Sequence, residues 1–381
     1  MEQRHRAAKN HWYHETQSRP CPAEVHPLVP AAAQVEDAFL LDCPWPQALH
    51  PARHRWLDLA RQLANSLLPQ RVTVDRLHTL SCYDRLSTAL TVAQVCGVQR
   101  LCNHYSARLA PEPGPDSSRE SNHRLTLITQ FARQLAGNPA CINNSATRQL
   151  LDVGLTEDDV VTFVHIIGFI GFQARVVAAL HAINGLPVRW LPGMEVQADA
   201  PAALFDAPHD PAGRLALRPL PAEQLTLTQR ELLAQATPDN ALHALATVLV
   251  RDAHHWCLVN GLSAALGNAV YTPLIQLLSA RVNGSAPCFA TASATAQDAT
   301  LIASVRHGER AILAWSHSHP GSQAVIDPVL LLIRAPSRFG AAHVGSLTAQ
   351  GHSADSGFRL LAQTGFEGWC NRLNISLLGP D

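Results

Sequence analysis

Nine cysteines, an odd number, are scattered along this 381-residue chain at positions 21, 43, 82, 96, 102, 141, 257, 288 and 370. A thiolate is both a nucleophile and a metal ligand, so these residues are the first candidates for chemistry. The opening residues, MEQRHRAAKNHWYHE, lack the apolar core of a signal peptide, and we expect a cytoplasmic protein. In that reducing compartment the thiols are expected to be buried or reactive, not joined in disulfides.

Histidines are also frequent, 20 in all, and two groups of them could bind a metal ion: SHSHP at 316–320 and HH at 254–255. Neither group has the spacing to cysteine partners that a tetrahedral zinc site uses, so we expect polar loop residues and no metal. The chain has no Gly-rich phosphate loop followed by lysine, no dinucleotide fingerprint and no Gly-x-Ser-x-Gly elbow. We therefore expect no cofactor.

The overall composition excludes several classes of partner. The formal net charge is -1 with histidines neutral, and no long basic block is present, which disfavours nucleic acid. Apolar residues make up 47% of the chain and charged residues 15%, as expected for well-buried cores. The most apolar stretch, Val160 to Phe172, is too short to span a bilayer. We interpret it as a buried helix and expect no membrane partner.

An internal repeat is visible at an offset of 197 residues, because GFIGFQAR at 168–175 recurs as GFEGWCNR at 365–372. Small residues beside a bulky aromatic three and four positions apart are typical of a close helix crossing. The repeated arginines, Arg175 and Arg372, are each expected to pair with a carboxylate or a helix C-terminus. A second interpretation makes them an anion contact beside a site.

Apolar spacing predicts helices through most of the chain and few strands. The clearest segments are 124–136, 143–152, 156–184 and 354–377. Thr156 and Ser353 are predicted N-caps, and only the first has an acid, Asp159, three residues on for a capping box. The fold class is therefore all-α.

Composition also predicts the domain organisation. Residues 1–30 are polar and proline-rich and are expected to form an irregular arm. A first helical domain at 31–186 and a second at 224–381 flank a Pro/Gly-rich linker at 187–223, with a short strand pair as an option in the linker.

Three segments of the chain together resemble the alkylhydroperoxidase D-like family, also called the carboxymuconolactone decarboxylase superfamily. They are LSCYDRLSTALTVAQVCGVQRLCNHYSARL at 80–109, GLTEDDVVTFVHIIGFIGFQARVVAAL at 154–180 and FGAAHVGSLTAQGHSADSGFRLLAQTGFEGWCNRLNISL at 339–377. The resemblance extends from about residue 35 onward. It implies two tandem alkylhydroperoxidase D-like domains, commonly assembled into oligomers, so a homo-oligomer is an expected assembly.

Some members of this family reduce peroxides with a cysteine pair. Their motif is Glu, eleven residues, Cys, two residues, Cys, three residues, His. A nearby histidine and carboxylate take the proton from the first thiol, and the second cysteine resolves the sulfenic acid as a disulfide. The resemblance thus implies peroxide and a thiol reductant as partners.

This sequence departs from the motif in both halves. In the first half Asp84 matches the acid and Cys96 the first cysteine, whereas Gln99 replaces the second cysteine and His104 lies one residue beyond the histidine position. In the second half, ARVNGSAPCFATA matches the cysteine stretch. There Ser285 replaces the first cysteine and Cys288 matches the second, but Pro273 and Ala292 stand at the acid and histidine positions.

Two main hypotheses follow. The first is a thiol-dependent peroxidase that reduces hydrogen peroxide or organic hydroperoxides. Cys288 or Cys96 would be the nucleophile, and Asp84 and His104 would handle protons; packing of the halves could bring His104, Asp84 or His343 to Cys288. The second is a catalytically inactive tandem module that binds a small ligand or a protein partner. A decarboxylase or lactone chemistry on the same fold is a third option.

Overall fold

The structure, a computed structural model, describes residues 31–188, 193, 195–206, 215–236, 242–267 and 270–378, so the predicted arm at 1–30 lies outside it. Over these residues the fold is all-helical, as predicted, and contains no strand. The α-helices, numbered in chain order, are α1 Trp56–Leu67, α2 Cys82–Cys96, α3 Gln99–Leu109, α4 Arg119–Gly137, α5 Asn144–Asp152, α6 Glu157–Ile183, α7 Leu227–Ala234, α8 Ala246–Leu249, α9 Ala253–Leu266, α10 Thr272–Asn283, α11 Ala286–Thr295, α12 Ala299–His307, α13 Glu309–Ser316, α14 Pro320–Arg334, α15 Ala341–Ala349 and α16 Ala354–Leu377.

The helix ends reproduce the sequence repeat. The helices α5 and α6 begin 197 residues before α15 and α16, respectively. A short 3-10 turn precedes each pair at the same offset, Pro139–Cys141 in the first copy and Pro336–Arg338 in the second. Both turns begin with proline, whose fixed φ favours the first position of a helical turn.

The predicted caps start the two long helices. Thr156 Oγ1 accepts a hydrogen bond from Asp159 N at 3.1 Å, and Asp159 Oδ2 accepts from Thr156 N at 3.0 Å, which completes a capping box. At α16, Ser353 Oγ accepts from Ser356 N at 3.2 Å, and no acid returns the bond. Both predictions are confirmed.

The helices α6 and α16 pack against each other as the central pair of the molecule. The repeated glycines lie at their crossing. A Cβ on Gly168 would lie 1.9 Å from Trp369 Cδ1, and a Cβ on Gly365 would lie 3.1 Å from Phe172 Cδ2. Each glycine therefore accommodates the aromatic residue that follows the other glycine by four positions, and the predicted close crossing is confirmed.

By length and composition α6 is the one helix of the described residues that could cross a membrane. Its most apolar 18-residue window, however, is 94% buried inside the structure. The sequence prediction of a buried helix is confirmed, but burial and not shortness is the reason, because the helix has 27 residues.

The two halves of the chain are interleaved. Helix α1 packs on α9, and Arg251, just before α9, forms ion pairs with Glu157 and Asp158 at the start of α6. Residues 195–206 of the predicted linker contact the second half, where Ala200 N donates to Val282 O at 3.3 Å. No strand pair is found in the described part of this linker.

Candidate functional site

A cavity of about 770 Å³ lies where the C-terminal ends of α2, α4 and α14 meet residues 195–201. Cys96, Arg175 and Arg334 line it, together with the exposed Arg133. Cys96 is the last residue of α2, and the helix stops there because Gly97 adopts a left-handed conformation with φ of 69°. A helix end thus presents a thiol to this cavity, with 6% of the residue exposed to solvent.

The repeated arginines lie close to the same thiol. Burial lowers the pKa of Arg175, and Cys96 beside it acts in the opposite direction. Burial likewise lowers the pKa of Arg372 to about 9, with a further decrease from the charge of Arg175 and an opposing effect of Cys96. Cys96 therefore lies in the field of two guanidinium groups.

Carbonyl oxygens, not carboxylates, hold these guanidinium groups. Arg175 Nη2 donates to Ile333 O at 2.5 Å in the last turn of α14. Arg372 Nε and Nη2 donate to Leu135 O at 3.0 Å and Ala136 O at 2.8 Å in the last turn of α4. Each arginine thus caps a helix C-terminus of the other half, one of the two partners that the sequence predicted.

Neither arginine has a carboxylate oxygen within 4 Å in the part of the chain that the structure describes. Arg175 Nε has no hydrogen-bond acceptor there either. The guanidinium of Arg175 consequently keeps its charge and one donor for an anionic group. A thiolate of Cys96 or an anionic ligand in the cavity would meet that requirement.

An ion-pair network forms part of the cavity wall. Arg334 Nη2 lies 2.5 Å from Asp199 Oδ1, and Arg334 Nη1 lies 2.8 Å from Glu309 Oε2. Asp199 belongs to the predicted linker, where no sequence signal indicated a site. The ion pair fixes residues 195–201 over the cavity.

Asp84 lies at the opposite end of α2 from Cys96. Its carboxylate caps that helix by accepting from Ser81 N at 3.1 Å, and it pairs with Arg124 Nη2 at 3.3 Å. Twelve residues of α-helix separate Asp84 from Cys96, a rise of about 18 Å. The structure therefore does not bring the predicted acid to the thiol.

His104 is also occupied elsewhere. Its Nδ1 lies 2.9 Å from Ala32 O, and its ring packs edge-on against Tyr105 with centroids 5.0 Å apart. Burial is the main reason that its pKa falls to about 4. This histidine is therefore neutral at pH 7, and its described contacts include neither Cys96 nor Cys288.

Cys288 lies in α11, 5% exposed, and it is not among the residues that line the cavity. Burial raises the pKa of this thiol to about 11, Glu367 raises it further, and hydrogen bonds with Ser285 and Asn371 oppose the increase. Packing of the halves does not place His104, Asp84 or His343 among its described contacts. The ring of His343 instead stacks on Phe339.

The local structure also changes the register in which the two cysteine stretches correspond. Helices α2 and α10 both end at a left-handed glycine, Gly97 or Gly284, an offset of 187 residues, and α3 and α11 begin at that same offset. This offset places Asn283 opposite Cys96, and Leu101 opposite Cys288. The sequence alignment that matched Ser285 to Cys96 is therefore wrong by two residues.

Sequence reasoning missed Glu367, a carboxyl group buried in the middle of α16. Gln276 Nε2 donates to its Oε1 at 3.1 Å, and burial raises its pKa to about 7 against the opposing hydrogen bonds. A signal was present in the sequence. GFEGWCNR has an acid where GFIGFQAR has Ile170, and an acid on an otherwise apolar helix face is uncommon.

The histidine groups form no cluster of three possible metal ligands among the described residues. In SHSHP, His319 stacks on Trp315 with ring centroids 3.8 Å apart. In the other group, His255 bonds to Asp252 and Ser66.

No protein-family model matches this chain, and no curated protein matches it in sequence.

Proposed function

We propose that this protein is a thiol-dependent peroxidase with an alkylhydroperoxidase D-like arrangement of two related helical halves, and that Cys96 is its nucleophile. The observation that supports this assignment is the position of Cys96, which borders a cavity beside the guanidinium of Arg175. A positive charge next to a thiol favours the nucleophilic thiolate. Cys288 has a carboxyl neighbour instead, and it is the weaker candidate.

The proposed reaction balances with a hydroperoxide and a thiol reductant. The Cys96 thiolate attacks one oxygen of the O–O bond, which breaks, and the alkoxide leaves and takes a proton from water. Cys96 becomes a sulfenic acid. One reductant thiol then forms a mixed disulfide with Cys96 and releases water, and a second thiol releases Cys96 with formation of the reductant disulfide. The reducing cytoplasm expected from the sequence would supply such thiols.

Arg175 has two roles in this proposal. Its charge stabilises the Cys96 thiolate before the reaction, and it stabilises the negative charge that develops on the leaving oxygen. Its hydrogen bonds to Gly171 O at 2.8 Å and to Ile333 O hold the guanidinium in place beforehand. Proton transfer by Asp84 and His104 stays a prediction, and their described contacts give both residues structural roles.

The test is consumption of hydrogen peroxide and of cumene hydroperoxide with dithiothreitol as reductant. Wild type is expected to turn over, and Cys96→Ser is expected to fall to the rate of buffer. Cys288→Ser is the matched control, because its thiol lies outside the cavity, and it should keep the wild-type rate. Dimedone should label Cys96 after a pulse of peroxide, as located by peptide mass spectrometry. A Cys96→Ser variant that consumes peroxide like wild type would refute the assignment.

Arg175→Met tests the charge. It should lower the rate of reaction of Cys96 with hydroperoxide by roughly 10²-fold, the size typical for loss of one charge-stabilising donor. Arg133→Met is the control, because this exposed arginine lines the same cavity. Thermal denaturation of each variant shows whether loss of the α14 cap has also unfolded the protein.

The second candidate is a non-catalytic module that binds a small anionic ligand in the same cavity. It is favoured by one observation: neither a histidine nor a carboxylate is among the described neighbours of Cys96. No peroxide turnover and no dimedone label on folded wild type would select this function over the peroxidase.

A further inference from the structure

A second group of chemically competent side chains lies away from the Cys96 cavity, where the last turn of α1 meets the first turn of α9. Ser66 Oγ lies 3.0 Å from His255 Nε2, and His255 Nδ1 forms a short hydrogen bond with Asp252 Oδ2. Hydroxyl, imidazole and carboxylate thus form one hydrogen-bonded chain. That order and those atoms are the ones that activate a serine hydroxyl in acyl-transfer enzymes.

The carboxylate orients the imidazole. Burial opposes ionisation of Asp252, but the hydrogen bonds from His255 outweigh it and lower the pKa of Asp252 to about 2. An ionised Asp252 accepts the Nδ1 proton, so the Nε2 lone pair faces Ser66. Asp252 is also the N-cap of α9 and accepts from His255 N at 3.1 Å, which fixes the backbone of the base.

Accessibility differs along the chain of three residues in the way that this chemistry requires. The side chain of His255 is 8% exposed and that of Asp252 is 25% exposed, while Ser66 is half-buried. His165 closes the inner side, with its ring centroid 6.1 Å from that of His255. The base is therefore shielded from bulk water, and the hydroxyl remains within reach of a small substrate.

A positive charge is available beside the serine. Arg85 Nη1 donates to Leu67 O at 3.0 Å, one residue beyond Ser66, and Asp252 contributes to the charge environment of this guanidinium. A cation at that position can stabilise an oxyanion formed on an acyl group attached to Ser66. Ser66 Oγ also lies 3.3 Å from Leu63 O, and the single hydroxyl proton can turn from that carbonyl to His255.

We propose that Ser66, His255 and Asp252 form a catalytic triad that hydrolyses small acyl esters. Ser66 Oγ attacks the ester carbonyl carbon while His255 Nε2 takes the hydroxyl proton. The C–O bond of the ester then breaks, and the leaving alkoxide receives that proton, which leaves an acyl ester on Ser66. Water, deprotonated by His255, attacks the acyl carbon, and the carboxylic acid departs as Ser66 regains its proton. Asp252 is a positioning residue in this reaction.

The test uses the full chain with an alkyl fluorophosphonate probe and with p-nitrophenyl acetate. Wild type should form a phosphonyl adduct that peptide mass spectrometry locates on Ser66, and it should hydrolyse the ester above the buffer rate. Ser66→Ala should lose both activities. Ser263→Ala, a half-buried serine on α9, is the matched control and should keep both.

Asp252→Asn separates positioning from structure, because asparagine is as good an N-cap as aspartate. A purely structural role predicts unchanged kcat and unchanged thermal stability. The triad predicts that kcat for the ester falls at least tenfold with KM unchanged, and that Asp252→Glu restores part of it. Folded wild type that leaves Ser66 unlabelled, or a Ser66→Ala variant that hydrolyses the ester like wild type, would overturn the proposal.

Discussion

Two buried thiols of the same chain have different electrostatic neighbours. Cys96 lies in the field of Arg175 and Arg372, whereas Cys288 has the carboxyl group of Glu367 as its charged neighbour. Cysteine reactivity depends on how far the surroundings stabilise the thiolate. Local charge, and not burial, therefore distinguishes the two candidates, because both residues are nearly inaccessible.

At the same scale, Glu367 makes stability depend on pH. Its pKa rises from an ordinary value of 4.5 to about 7, so between these values the folded protein holds a proton that the unfolded chain releases. The free energy of unfolding should therefore fall as pH rises through this interval and level off above it. At about 1.4 kcal/mol per pH unit, the loss is roughly 3 kcal/mol.

Glu367→Gln should remove this dependence, since a neutral amide keeps the acceptor for Gln276. We expect the variant to gain stability relative to wild type between pH 5 and pH 8, as measured by urea denaturation. Glu231→Gln, an exposed site on α7, serves as the control and should parallel wild type. Parallel curves for Glu367→Gln and wild type would contradict an ionisable role for this carboxyl group.

At the scale of elements, the crossing of α6 and α16 depends on glycine. Alanine normally stabilises a helix interior relative to glycine by up to about 1 kcal/mol. At Gly168 the added methyl group would overlap the fully buried ring of Trp369, which has no free volume to enter. Overpacking of this kind costs about 1–3 kcal/mol, and sometimes more.

Gly168→Ala should therefore lower the free energy of unfolding, whereas Gly345→Ala should raise it slightly. Gly345 lies on the exposed side of α15, and no atom is within 4 Å of the position that an added methyl group would take, so only helix propensity acts there. Equilibrium denaturation of the two variants gives the comparison. Equal effects of the two substitutions would show that the crossing is looser than described.

At the scale of the whole molecule, the two halves stabilise each other. Arg175 caps α14, Arg372 caps α4, and α6 packs against α16 along its length. A half on its own would expose the apolar face of its long helix and leave carbonyl groups without donors. This arrangement makes the chain one cooperative unit even though its sequence is repeated.

A split chain tests that cooperativity. Fragment 1–188 alone should bind 8-anilinonaphthalene-1-sulfonate strongly and unfold without a sharp transition, because α6 lacks its partner α16. Mixing it with fragment 189–381 should restore a near-ultraviolet circular dichroism spectrum like that of the intact chain. Cooperative unfolding of fragment 1–188 by itself would instead establish independent domains at 31–186 and 224–381.

The features that could be predicted from the residue order are those that depend on near neighbours along the chain. Helical periodicity, the capping residues Thr156 and Ser353, and the recurrence at 197 residues predicted the long helices and their close crossing. Each of these signals acts within about one turn of helix, where residues three and four apart are in contact. That local information was sufficient for the all-α class and for most helix boundaries in the repeated segments.

The groups that surround each reactive side chain became known only from the packed fold. The contacts from Arg175 to Ile333, from Ser66 to His255 and from Arg372 to Leu135 join residues 158, 189 and 237 positions apart. Spacing along the chain carries no information about such pairs. Whether a thiol meets a cation or a carboxyl group depends on how the helix ends converge, and that convergence is set by packing of the whole body.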